Sequence, residues 1–472
     1  MKTTTIEVLK AALGNPVTRA ALKGISKYCE KDKKNRIEVA IDLFTGYRDT
    51  ACFSCKAAEK IISRTLIKGG TAFGLNETDL KEKFQNPGWT RGLSSVIRGI
   101  AQFGVTKPFT SGAPFQVVWD VTTSCNLHCK HCYSNSGTKQ EDELTTAQAK
   151  KAIDIFDRAG VTILAFSGGE PLVRPDIFTL TKYAHKKGLY VALATNGTLI
   201  TPEKAEEMKD AGIQFVQISL DGANAETHDA FRGTKGAFNK TLKGIKNSVA
   251  NKFFVEVSTT VTRYNYTQIP SIIDLSEKLG VNWFMAFNFV PTGRGKDVIE
   301  TDLIPRQREE MLKMLWYELK TRKHINVLST APQFARVALE TETKDNEKII
   351  PTHFYNPILS GKLMDLAEFI GGCGAGRFYL AMRPNGNLEP CVFFPLKIGN
   401  ILTDDFEDLW IHNPVLNDLR NKDILMDRCG TCEFRYYCGG CRARAYGYLH
   451  NYLSPDPGCV RNQKVFDDLV RD

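Results

Sequence analysis

The sequence predicts an α/β protein built on a partial, TIM-like (βα)6 barrel, preceded by a helical region and followed by a cysteine-rich domain. Three observations carry this. Six apolar runs rich in β-branched and aromatic residues alternate with amphipathic stretches between residues 116 and 292. Polar or glycine-rich motifs follow those runs at matching positions. The 13 cysteines fall into three groups, with none between Cys132 and Cys373. At 472 residues the chain is longer than one core usually serves. We divide it into a helical region (1–112), the barrel (113–325), a connector without motifs (326–372) and the cysteine-rich domain (373–472).

Residues 1–112 read as helical and basic. In "AEKIISRTLIKGG" an apolar stripe is flanked by Lys60, Arg64 and Lys68. A helical cap packed on the barrel is expected, and the pattern also fits peripheral contact with a membrane or a substrate-docking role. At the N-terminus Glu7 and Lys10 interrupt the apolar residues, against a secretory signal. No run approaches the roughly 20 apolar residues of a membrane span. A cytoplasmic location is expected.

The barrel runs are "QVVWDVTT", "ILAFSGGE", "YVALATNG", "FVQISLDG", "FFVEVSTTVT" and "WFMAFNFVPT". Between them, stretches such as "TTAQAKKAIDIFDRAG", "PEKAEEMKDAG" and "IPSIIDLSEKLG" have helical periodicity and several end in Gly. Strand–helix units in series imply parallel strands. Eight such units close a barrel, so six leave it open along one side. "TTSC", "SGGEP", "TNGT", "SLDG" and "PTGRG" all follow strands, and in parallel α/β folds such groups gather at one mouth.

The composition, 42% hydrophobic and 24% charged, is that of a globular protein. The net charge of +9 is spread along the chain and selects no partner; no nucleic acid is expected. Thirteen cysteines in an intracellular chain point instead to metal or cluster ligation.

"CNLHCKHC" places Cys125, Cys129 and Cys132 within eight residues, with His128 and His131 in the gaps. A structural zinc site closes with four ligands, and these histidines are locked in the same loop as the thiols. A [4Fe–4S] cluster has four irons, each needing an outside ligand, so three thiols leave one iron open. CxxxCxxC after the first strand of such a barrel resembles the radical S-adenosylmethionine superfamily. The resemblance implies that S-adenosylmethionine chelates the open iron and is cleaved reductively to a 5′-deoxyadenosyl radical, with a flavodoxin- or ferredoxin-type electron donor. It further implies that Gly168, Gly169, Glu170 and Pro171 bind the methionyl ammonium, the glycines through close backbone approach and Glu170 by charge. Thr195 and Asn196 follow the third strand. Ser219 and Asp221 would contact ribose or the methionyl carboxylate. Val290 and Arg294 lie in the stretch that would hold adenine.

The seven cysteines from Cys373 onward resemble the SPASM extension, which carries two auxiliary [4Fe–4S] clusters. By position, Cys429, Cys432, Cys438 and Cys459 would hold one, and Cys373, Cys391 and Cys441 the other. No eighth cysteine precedes Cys373, so one iron of the second is open or has a non-cysteine ligand. Cys29, Cys52 and Cys55 are one ligand short of a tetrahedral site and are either buried thiols or a metal site. The resemblance implies oxidative modification or cross-linking of a peptide or protein, with coupling of isoprenoid lipid chains or decarboxylation of tetrapyrrole side chains as alternatives. An iron–sulfur electron carrier is the non-enzymatic alternative, and the intact "GGEP", "SLDG" and three-thiol motifs speak against it.

Overall fold

The computed structural model describes residues 14–72, 76–85, 87–341, 347–349, 351, 358–360 and 367–471. The opening residues with Glu7 and Lys10 lie outside them, as does much of the expected connector.

After helix Pro16–Ile25 comes a short antiparallel ladder of β1 (Tyr28–Cys29) and β2 (Lys34–Asn35), with further helices following. The six expected barrel strands are β3 (Gln116–Asp120), β4 (Ile163–Ser167), β5 (Tyr190–Thr195), β6 (Phe215–Ser219), β7 (Phe254–Val261) and β8 (Trp283–Asn288), all parallel and in sequence order. The sheet does not stop there. β9 (Asn326–Ser329) pairs parallel with β8, inside the stretch expected to be a connector. After a separate ladder of β10 (Glu347–Ile349) and β11 (Ile358–Ser360), β12 (Tyr379–Met382) pairs parallel with β3. β13 (Asn387–Glu389) and β14 (Gly399–Asn400) continue antiparallel. The result is an open ten-stranded sheet with β9 and β14 at its edges. β9 and β12 are four residues each, too short for a pattern of period two to stand out.

Strand alternation explains why this sheet encloses space. The helix-facing set is large and buried, as with Val117, Trp119, Leu164, Phe166, Val191 and Val216. The opposite set lines a cavity: small or polar residues such as Ala165, Ala192, Ser219 and Ser258 leave it room, and large ones such as Tyr190, Phe215, Phe254 and Trp283 stand at the strand starts. Helix Thr146–Ala159 shows how the cover forms. Thr145 and Gln148 make a capping box, Gly160 takes a left-handed C-cap at φ 85°, and Ala149, Ala152, Ile153 and Phe156 form the buried stripe.

The N-terminal helices build their own small core. In helix Phe53–Ala72, Ala58 and Ile62 turn inward onto Ile37, Ala40 and Ile41, while Lys60 and Arg64 are exposed. Part of the apolar stripe is thus packed within this region, while Ile61 stays exposed. Arg91 ties it to the barrel by donating to the Val161 and Lys187 carbonyls, which immediately precede β4 and β5. That attachment is at the amino ends of the strands. Among the described residues no helix is long and apolar enough to cross a membrane.

Candidate functional site

The loop after β3 is pinned from both sides. Cys125 N–H donates to the Gly137 carbonyl (3.0 Å) and Gly137 N–H to the Thr123 carbonyl (2.8 Å), closing the loop at its base. Glu143 accepts from the Thr123 N–H and from the Thr122 and Thr123 hydroxyls. From the far side, Arg294 acts as a clamp. Its N–H donates to the Cys132 carbonyl (2.9 Å), its Nε to the Cys129 carbonyl (3.0 Å) and its Nη1 to the Ser136 carbonyl (2.6 Å). Arg294 therefore holds the three-cysteine loop itself. Gly293 makes this approach possible, since a Cβ there would lie 2.4 Å from the Cys132 carbonyl oxygen.

The glycines of "GGEP" have a structural job of the same kind. A Cβ on Gly169 would fall 2.2 Å from the Ser124 carbonyl oxygen, and one on Gly168 2.5 Å from that of Thr122. Their close approach is to the cysteine loop's own backbone, and both also line the cavity. Glu170 is fully buried. Its carboxylate accepts from Leu172 N–H (3.1 Å), Thr195 Oγ1 (2.8 Å) and Asn196 N–H (2.9 Å). Burial raises its pKa while those donors pull it back. Glu170 thus ties the β4 turn to the end of β5, and the Asn196 side chain passes the link to Asn126 beside Cys125. Pro171 is buried and opens the turn of 3₁₀ helix that follows.

Asp221 is likewise held by the protein's own groups. It is fully buried, accepts from Thr260 N–H (2.8 Å), and pairs with Arg232 at 2.6 Å. Arg232 in turn reaches Cys129 Sγ at 3.6 Å and lines the cavity. Asp221 thus sits behind this guanidinium and outside the cavity lining, while Ser219 lines the cavity directly. Sequence reasoning missed Arg232; the signal was an arginine 11 positions after Asp221, at the end of helix Ala225–Arg232. His131 stacks on Phe231 with ring centroids 3.9 Å apart, and burial holds its pKa well below the usual value. A neutral, stacked ring filling the loop explains this histidine without a metal.

Burial pushes the Cys125 thiol up to about 12, so its thiolate form needs a cationic partner. Donors to sulfur already surround the loop: Leu127 N–H at Cys125 Sγ (3.5 Å), Ser136 N–H at Cys132 Sγ (3.4 Å) and Arg232 at Cys129. Three converging thiols with such donors fit an iron–sulfur cluster.

These cysteines open onto a cavity of about 560 Å³ inside the barrel. Thr195, Asn196, Val290 and Arg294 line it near the mouth, and at its base Phe215 stacks on Phe254 with Trp283 edge-on to both. The C-terminal domain supplies its remaining wall through Tyr379, Cys391 and Phe393. Arg383 sets this wall, bridging Asp120 at the end of β3 (2.6 Å) to the Val392 carbonyl (3.0 Å).

The C-terminal cysteines gather in two sets. Cys373, Cys391 and Cys441 pack in one cluster with Val290, Phe394 and Ala443. Cys429, Cys432, Cys438 and Cys459 surround a small void with Arg336 and Arg461. Donors approach this second set too: Gly440 N–H at Cys438 Sγ (3.3 Å), Asn462 at Cys429 Sγ (3.6 Å) and Arg461 at Cys432 Sγ (3.7 Å). Asp456 accepts from Cys441 N–H at 2.7 Å and fixes the first set.

Comparison with known proteins agrees with this geometry. Residues 119–275 match the radical SAM superfamily and residues 373–433 match an iron–sulfur cluster-binding domain, SPASM. The AdoMet-dependent heme synthase of Methanosarcina barkeri is 38% identical over 353 residues, covering 74% of this chain and 97% of that protein. The mycofactocin maturase of Mycobacterium tuberculosis is 33% identical over 355 residues, 74% of this chain and 83% of the relative. In fold, Streptococcus suis SuiB bound to S-adenosylmethionine superposes with a TM-score of 0.59 at 16% identity, covering 89% of this chain and 91% of that one. With its three-thiol loop, open parallel barrel and cysteine-rich extension, the chain belongs to the SPASM subgroup of the radical S-adenosylmethionine superfamily, enzymes that use [4Fe–4S] clusters and S-adenosylmethionine.

Proposed function

We propose that this enzyme oxidises an iron tetrapyrrole bearing carboxylate side chains inside the barrel cavity. One observation carries the oxidative part: the cavity is lined by Cys125, Cys129 and Cys132 at one side and by Cys391 at another. Hydrogen removal and the departure of a second electron therefore share one enclosed space. The cluster and S-adenosylmethionine, when bound, supply the 5′-deoxyadenosyl radical that takes the hydrogen atom.

In this reading Cys125, Cys129 and Cys132 are the ligands of the first cluster. Gly168 to Pro171, Thr195, Asn196, Ser219, Val290 and Arg294 border S-adenosylmethionine, with Glu170 and Asp221 holding its surroundings in place. Cys373, Cys391 and Cys441 hold the auxiliary cluster next to the substrate, and Cys429, Cys432, Cys438 and Cys459 the farther one. The packed rings of Phe215, Phe254 and Trp283 close the base against water and suit a flat apolar ligand. Loss of one hydrogen atom and one electron from a –CH2–CH2–COO⁻ side chain releases CO2 and leaves a vinyl group. The tetrapyrrole class is supported by the 38% identity to a heme synthase across nearly all of that relative. A peptide substrate has the support of the maturase relative at 33%.

The test is anaerobic turnover with reductant, S-adenosylmethionine and Fe-coproporphyrin III. Reconstituted protein is expected to bind about twelve irons if all three clusters are of the four-iron type. Product should lose carboxyl groups as 5′-deoxyadenosine accumulates. The Cys125/Cys129/Cys132 triple Ala variant should lose about four irons and all cleavage of S-adenosylmethionine. Cys373→Ala should stop product while leaving 5′-deoxyadenosine measurable. A wild-type enzyme that cleaves S-adenosylmethionine but never alters the porphyrin would sink the tetrapyrrole assignment, and product from Cys373→Ala would sink the electron route.

A further inference from the structure

We propose that Cys29, Asp32, Cys52 and Cys55 form a closed tetrahedral site for one divalent metal ion, zinc by its donor set, that staples the N-terminal region together. The site lies before residue 119, where the superfamily match begins. The cysteine pattern alone is one ligand short, and the structure supplies the fourth from a turn.

The ligand atoms of these four residues all lie within 4.8 Å of one another, the one such group found among the described residues. Cys29 Sγ is 3.5 Å from Cys52 Sγ and 3.3 Å from Asp32 Oδ2. Zinc–sulfur bonds of about 2.3 Å at tetrahedral angles put ligand sulfurs roughly 3.8 Å apart, so little movement is needed to admit an ion. A four-iron cluster is a poorer fit, because it seats each thiolate on a separate iron and spreads the sulfurs farther apart. Three thiolates with one carboxylate favour zinc over the harder cations magnesium and calcium.

The chain builds this site from two elements. Cys29 belongs to β1, and Asp32 to the tight turn before β2, where Lys33 has a φ of 53°. Cys52 and Cys55 flank the start of the 20-residue helix Phe53–Ala72, whose N-terminus favours anionic ligands. Asp32 is oriented twice over: it accepts from the Cys52 N–H at 3.2 Å and sits 3.4 Å from Arg48. Its side chain is 7% exposed, and Cys29 and Cys55 are buried. Ion binding exchanges the thiol protons for the metal. Four anionic donors around a divalent ion then leave two negative charges, which face Arg48 and the helix end.

All four positions are taken by protein, so the site is structural. The apolar packing around it is small. Cys29, Val39 and Cys55 form a small apolar cluster separate from the main helical core of this region. The residues flanking Cys29 also meet the barrel: Arg158 of helix Thr146–Ala159 lies 4.7 Å over the Tyr28 ring and pairs with Glu30. An ion here would therefore hold the docking turn as well as its own domain.

The experiment is metal analysis of the anaerobically purified, cluster-loaded enzyme. One zinc per chain is expected beside the iron. Cys52→Ser should lose it with iron and S-adenosylmethionine cleavage unchanged, which also shows that the barrel has folded. Asp32→Asn should weaken zinc binding by at least about tenfold. Cobalt(II) in place of zinc should give thiolate-to-metal charge-transfer bands in wild type that Cys52→Ser lacks. Independently of any variant, zinc should protect Cys29, Cys52 and Cys55 from alkylation until a chelator is added. The proposal is overturned by wild-type enzyme that neither retains zinc nor takes up zinc or cobalt, by zinc content unchanged in Cys52→Ser, or by a Cys29–Cys52 disulfide in the anaerobic protein.

Discussion

Glu256 shows how a single side chain can trade stability for the cavity. It lines the barrel interior on β7 with the Gln217 amide as hydrogen-bond donor, and burial pushes its pKa up to about 7. In the unfolded chain the same carboxyl titrates near 4.3. Between those values the folded protein binds more protons than the unfolded one, so stability falls as pH rises through this window. Glu256→Gln should therefore raise the thermal midpoint at pH 8, with a gain of at most roughly 4 kcal/mol, and leave it nearly unchanged near pH 4. Melting curves of the cluster-loaded protein across pH 4–8 check this; an equal gain at both ends would mean the effect is packing. Nothing in the local sequence marked Glu256, because its neighbours, Gln217 on β6 and Trp283 on β8, come from other strands.

At the level of elements, the turn after β4 and the loop after β3 behave as one unit. Gly169 N–H donates to the Thr122 carbonyl and Glu170 N–H to that of Ser124, both at 2.8 Å. Gly169→Ala forces a methyl group into that seam, and overpacking of this kind typically costs 1–3 kcal/mol. We expect at least a tenfold loss of S-adenosylmethionine affinity together with a lower melting temperature. Gly137→Ala is the control, since a Cβ there meets nothing within 4 Å. Equilibrium binding on both variants decides, and equal losses would refute the seam. The six barrel strands and the motif at each mouth position were legible because strand runs, helix caps and glycine punctuation repeat in step. The partners of Glu170 and Asp221 were not, because a motif names the residue and not its neighbours. The same holds for Asp32, a lone carboxylate that becomes a candidate ligand only when β1 brings Cys29 beside it.

Across the whole molecule, the barrel and the C-terminal domain are joined by a buried ionic network. Asp302 pairs with Arg308 at 2.6 Å and with Arg444, and accepts from the Tyr448 hydroxyl at 2.7 Å. Arg444 also donates to the Phe289 carbonyl (2.8 Å) and lies 3.2 Å from Asp456, which in turn holds the Cys441 amide. Removing one partner from such a network leaves uncompensated buried charge, worth about 3–5 kcal/mol. Asp302→Asn should loosen the C-terminal domain, seen as faster proteolysis after β9 and loss of iron from the auxiliary sites before the first. Iron content that is lost uniformly would show that the network does not divide the molecule in this way.

The pairing of β12 with β3 has a consequence for how the protein is made. Gln116 pairs early with Ile163 of β4, but it gains its second neighbour only when Tyr379 has been synthesised, after more than half of the chain has followed it off the ribosome. At roughly 5–20 residues per second, that edge of β3 waits unpaired for tens of seconds. Throughout that interval the three-cysteine loop beyond β3 has no C-terminal wall over it. The nascent barrel is thus open to iron–sulfur delivery while also being exposed to edge-to-edge aggregation. Cluster supply during translation, and chaperone cover of β3, should then govern how much holoenzyme a cell obtains.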